Sequence, residues 1–99
     1  MSITERIARR VGRDYPASQR DAVIDLLESV ELGSSASTVT DEGQERVHAA
    51  MLIVAAGNVD RLLEASALAE VDWRDVLVDA GLEHDDWRAR LADVLGPHP

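Results

Sequence analysis

A chain of 99 residues with no cysteine and a formal net charge of −9 is long enough to bury one core without staples, and it excludes disulfide frameworks, thiolate zinc sites and cysteine nucleophiles. No apolar run approaches the ~20 residues that span a bilayer, and arginines fill the N-terminal stretch SITERIARRVGRDYP where a signal peptide would carry its apolar segment, so a cytoplasmic protein with no membrane contact is expected. The charge is divided: residues 1–20 set Arg6, Arg9, Arg10, Arg13 and Arg20 against Glu5 and Asp14, while residues 21–99 set five arginines against seventeen acids, a balance that repels nucleic acid and favours basic protein partners.

The first predicted helix covers residues 3–12. Ser2 and Glu5 have capping-box spacing, Ile3, Ile7, Ala8 and Val11 share a face, and Gly12 is placed to end it. Pro16 suits the first turn of a second helix, 17–31, in which Val23, Leu26, Leu27 and Val30 recur at three-four spacing with Ile24 widening the stripe. The Gly-, Ser- and Thr-rich run near 33–41 reads as a flexible loop.

A third helix is expected over 42–56, capped by Thr40 or Asp41, with Val47, Ala50, Met51 and Val54 in its stripe and Leu52 and Ile53 off it. A helix that is apolar on more than one side belongs in the centre. Gly57 stops it and Asn58 caps the next, 59–70, whose stripe is Val59, Leu62, Leu63, Ser66 and Ala67.

Two short helices follow, 73–80 and 86–95. Each begins with the same phrase, Asp72-Trp73-Arg74 and Asp86-Trp87-Arg88. Asp72 caps the first copy, with Val71 and Val76 at the positions of a hydrophobic staple; Gly81 stops it and Leu82 folds back on its last turn. Asp85 or Asp86 caps the second, where Trp87, Leu91, Val94 and Leu95 share a side before Gly96-Pro97. At an offset of fourteen, six of fourteen residues match. Common capping and packing demands explain such agreement, and repeat architectures use longer units and more copies. A frayed tail, 96–99, closes the chain.

Lysine and phenylalanine are absent, and there is one Tyr and two Trp, so the core must be aliphatic. The all-arginine vocabulary reads as the codon usage of a GC-rich genome before it reads as a binding signal.

The segment QERVHAAMLIVAAGNVDRLLEASALAEVDWRDVLVDAGL, residues 44–82, resembles a group of small all-helical bacterial proteins of no established activity. Their phrase runs E-R-V, a helix with spaced leucines, a G-(N/D) break, a second helix, then D-(W/Y)-R-D-V-L. It is matched by Glu45, Arg46, Val47, Gly57, Asn58, Leu62, Asp72, Trp73, Arg74, Asp75, Val76 and Leu77. The resemblance implies an all-helical fold and lends no mechanism.

Trp73, Arg74, Trp87 and Arg88 are the candidate partner contacts, because Trp and Arg concentrate at binding hot spots; both tryptophans lie on aliphatic stripes, which favours the core. Glu83-His84-Asp85-Asp86 offers oxygen ligands but no EF-hand spacing, and acids before a helix are favoured by its dipole alone. His48 flanks the third helix's stripe and is expected at the surface. His98 lies in the tail. No hydrolase elbow, P-loop, dinucleotide fingerprint or zincin motif occurs, so no catalytic, metal or cofactor residues are assigned.

The expectation is one all-α domain, a compact bundle of five or six short helices, acting as a non-catalytic interaction or adaptor protein whose partner is a basic protein or a second copy of itself. The alternative is a small DNA-associated regulator using the basic first helix, and the third a small enzyme without a recognisable motif.

Overall fold

A computed structural model describes residues 3–30 and 41–96. Among them the chain forms five helices and no strand: α1 (Glu5–Asp14), α2 (Ala17–Ser29), α3 (Asp41–Ala55), α4 (Val59–Ala80) and α5 (Trp87–Leu95). The all-α bundle is therefore as expected. Ser2, His98, residues 33–40 of the anticipated loop and residues 97–99 of the tail lie outside the described residues, whereas Asp41 already belongs to α3.

α1 starts two residues later than its pattern suggested and runs two further. Thr4, in extended backbone, is its N-cap, and its Oγ1 accepts from the Ile7 amide at 3.3 Å. Gly12 does not end the helix, because the stop is imposed by Pro16: the residue before a proline is driven out of the α region, and Tyr15 is extended at φ −125°, ψ 144°. Pro16 then sits at the N-cap of α2, one position before the first turn.

α3 is the central helix, packed most extensively on α4 and also on α1 and α5. Val47, Ala49, Ala50, Met51, Leu52 and Ala55 are all buried, which covers far more of its circumference than one stripe. Alanines 65 and 69 and Ser66 are buried on α4, so small residues on both partners leave little bulk between the two helices. Ile7, Val11, Val23, Leu27, Leu62, Val76, Leu77, Leu82 and Leu91 complete an aliphatic core, each worth about 1.5–3 kcal/mol when a side chain of this kind leaves water completely. Tyr15 is the one aromatic residue fully inside it, its hydroxyl buried without a partner.

The anticipated helices 59–70 and 73–80 are joined as α4 but broken at Asp72, whose backbone is extended (φ −153°, ψ 96°). Its carboxylate accepts from the Arg74 amide at 3.1 Å, as an N-cap does for the second amide of a helix. The break is sharp. Arg61 and Asp79 would be ~27 Å apart on a straight helix, yet they line the same hollow. Val71 does not complete a staple with Val76: it is 85 % exposed while Val76 is buried, since the break at Asp72 leaves the residue before it facing solvent.

Gly57 and Gly81, unlike Gly12, stand at helix ends as anticipated. Gly81 is left-handed (φ 75°) and lets the Leu82 amide reach Leu77 O at 2.9 Å, which folds Leu82 into the core. Gly57 (φ 81°) follows Ala56, itself at φ 50°, and a Cβ on Gly57 would stand 3.1 Å from the Asp14 carbonyl oxygen.

Candidate functional site

The last carbonyls of a helix have no partner within it, and in this bundle side chains from other helices supply one. At the end of α1, Arg20 of α2 donates to Gly12 O (2.7 Å) and to Tyr15 O (3.0 Å). At the end of α2, His48 of α3 donates from Nε2 to Leu27 O (2.9 Å). Just past α4, Arg46 of α3 donates from Nε to Leu82 O (2.8 Å) and again from Nη2. At the end of α5, Arg10 of α1 reaches Val94 O (2.9 Å) and Arg6 reaches Gly96 O (3.0 Å). Cations are favoured there by the helix dipole as well. Arg6, Arg10 and Arg20 of the N-terminal arginines are thus held by their own chain.

Arg6 also forms a buried ion pair with Glu45, whose carboxylate accepts from the guanidinium at both oxygens and from the Thr4 hydroxyl. One network consequently joins the start of α1, the middle of α3 and the end of α5. It also explains the E-R-V triplet locally: Glu45 anchors α1, Arg46 holds the α4–α5 link and Val47 fills the core.

His48 is not at the surface; its relative exposure is 0 %. The flank of α3 that looked solvent-facing is buried, and there the imidazole meets the Leu27 carbonyl of α2. Because Nε2 must carry the proton to serve that carbonyl, Nδ1 is left bare, buried and without a partner. Burial lowers the pKa to about 4 against the ordinary 6.5, outweighing the carbonyl bond that favours the cation.

The two D-W-R phrases sit differently. Trp73 is half-buried beside the break in α4, with the exposed Arg74 guanidinium 5.9 Å from its ring centroid and 3.5 Å from Asp72. Trp87, also half-buried, is met by two guanidiniums, Arg46 at 4.7 Å and Arg88 at 4.3 Å, and Arg88 reaches across to Glu42 at 2.6 Å. Asp86 makes no side-chain cap bond to α5; its carboxylate pairs instead with Arg90, one turn on, at 3.2 Å. In the acidic run before α5, His84 meets Glu83 at 2.9 Å, and among the described residues no three His, Asp or Glu side chains gather as metal ligands.

Surface concavities among the described residues include three. An apolar groove of about 400 Å³ runs between α2 and α4, lined by Ala22, Val23, Leu26 and Ser29 on one side and Val59 and Leu63 on the other, with Asp25 in its wall. A second hollow, about 320 Å³, lies between α3 and the two arms of α4 and mixes Arg61, Glu64 and Asp79 with Val54, Ala65 and Leu68. A third, about 210 Å³, sets Arg9, Arg10 and Arg13 against Asp93 at the end of α5. The α2–α4 groove had a signal in the chain. Leu62 and Leu63 are adjacent, and neighbours on a helix point ~100° apart, so on a helix packed from one side one of the two can be left facing out. Leu62 is fully buried and Leu63 is 50 % exposed.

Compared with models of known protein families, with curated proteins and with solved structures, the chain matches none.

Proposed function

We propose that this protein is a non-catalytic protein–protein interaction module that docks a partner in the groove between α2 and α4. One observation carries the reading. The buried polar side chains Arg6, Glu45, His48 and Ser66 bind groups of their own chain, which gives them structural work, whereas Leu63, half exposed in the apolar wall it forms with the partly buried Val59, leaves apolar surface open among the described residues. Exposed apolar surface of this kind, set among polar residues, marks interaction sites. Arg74, exposed beside the half-buried Trp73, offers a further contact, while Arg88 is tied to Glu42.

A DNA-associated role for the first helix loses support, because Arg6 and Arg10 point their donors at α5 and Arg20 at the end of α1. The test is affinity capture with the full chain from its host's lysate at low and high salt, run beside Leu63→Asp. A partner retained by the wild type and lost from the variant is the expected result; identical proteins on both columns overturn the groove as docking site. Retention on heparin at low salt would restore the DNA reading.

A further inference from the structure

The walls of the α2–α4 groove specify more than an apolar occupant. Ala22, Leu26, Val59 and Leu63 supply its apolar surface, and Asp25 stands in its wall. Asp21 precedes Ala22 on the exposed side of α2, and Asp60 follows Val59 on the exposed side of α4. No arginine is among the described residues that line it. Arg20, the one basic residue of α2, is bound to the carbonyls of Gly12 and Tyr15, and Arg61, the one basic residue in the first arm of α4, lines the separate hollow with Glu64 and Asp79. The groove is thus a trough between two helices, apolar apart from Ser29 and one acid, Asp25, with the exposed Asp21 and Asp60 each next in sequence to a lining residue.

Resting on the reading of this groove as a docking surface, we propose that its occupant is an amphipathic helix of another protein, aliphatic on one face and flanked by Lys or Arg. A third helix laid into the trough between two others repeats the packing that builds helical bundles, and cationic flanks meet Asp21, Asp25 and Asp60. A second copy of this chain fits poorly. Its own basic amphipathic segment is α1, whose Ile7 and Val11 are already in the core and whose Arg6 and Arg10 already serve α5.

The test is titration of the full-length protein, followed by NMR shifts and calorimetry, with two helical peptides of about fourteen residues, one of Leu and Lys in amphipathic order and one with every Lys replaced by Glu. The Leu/Lys peptide is expected to perturb Ala22, Leu26, Val59 and Leu63. Its affinity should fall about tenfold in Leu63→Asp and severalfold in the surface double variant Asp25→Asn/Asp60→Asn, and should weaken as salt rises. Circular dichroism of each variant checks that the fold persists. Equal binding of the Leu/Glu peptide, or shifts confined to other faces, overturns the basic-helix proposal. If neither peptide binds while a lysate partner still depends on Leu63, the proposal fails and the docking reading stands; if neither peptide binds and capture is also indifferent to Leu63, both fall.

Discussion

Acid should destabilise this protein through His48. The imidazole is fully buried, gives its Nε2 proton to Leu27 O and presents a bare, unpartnered Nδ1 to the interior. Protonation at Nδ1 would place an unsolvated cation there, and the pKa is accordingly pushed down to about 4 from 6.5. A folded-state pKa below the unfolded value means that the unfolded chain takes up the proton first. The stability is therefore intact above 6.5 and is lost as pH falls toward 4. From those two values the loss is about 2 kcal/mol at about pH 5 and about 3 kcal/mol once titration is complete, a large part of the 5–15 kcal/mol typical of a domain. The assay is urea unfolding between about pH 8 and pH 4 for the wild type and His48→Gln, whose amide nitrogen can still donate to Leu27 O but does not titrate. The variant should cost about 1 kcal/mol at neutral pH, independent of pH, and should overtake the wild type in acid. Parallel pH profiles for the two proteins would refute the argument.

Other perturbations follow from the same contacts. Glu45→Ala strands the buried Arg6 guanidinium and should cost about 3–5 kcal/mol in chemical denaturation, whereas replacing both residues with methionine should cost much less, because desolvation offsets most of what the pair gains. Asp72→Ala removes the carboxylate that caps the second arm of α4 and should cost about 1 kcal/mol. Asp86→Ala, at the matching place in the second D-W-R phrase, removes only an exposed pair with Arg90 and should cost less than about 0.5 kcal/mol by the same unfolding measurement. Gly57→Ala demands both a left-handed backbone and a Cβ against Asp14 O, and should lower the melting temperature more than Gly81→Ala, where the nearest atom is the flexible Arg90 guanidinium.

Helix positions were legible wherever a stop or a cap is a local event. Gly81 with Leu82, Asn58 and Asp72 act within one turn of themselves, and their side chains or φ angles behave as local stereochemistry requires. The centrality of α3 was also legible, since apolar residues on several sides can be satisfied only by neighbours on several sides. Two local readings failed because a neighbour in the chain or in space overrode them. Gly12 is a permissive residue, but Pro16 imposes the actual stop on α1. The identity of Asp72 and Asp86 suggested one capping role, yet Asp86 has Arg90 one turn away and no amide bond to α5.

The partners of the charged residues were not legible. Periodicity tells which side of its own helix a residue occupies but not what comes to lie against that side. His48 stands on a flank of α3 that is interior in the fold, where it meets Leu27 O of α2, and Arg6, Arg10 and Arg46 find carbonyls distant in sequence, while Arg20 reaches back to Gly12 and Tyr15; all of these carbonyls lie at or just past helix ends. The same holds for the α2–α4 groove: the adjacent leucines 62 and 63 do not tell which of them faces out, and the wall that Leu63 joins depends on how α2 and α4 pack. What the chain determined by itself is an aliphatic, all-helical domain with its turns in place, because those properties rest on spacings of three or four residues. The tertiary structure alone decided which charges are structural, which histidine is buried and which apolar wall faces out, because these depend on contacts between segments tens of residues apart.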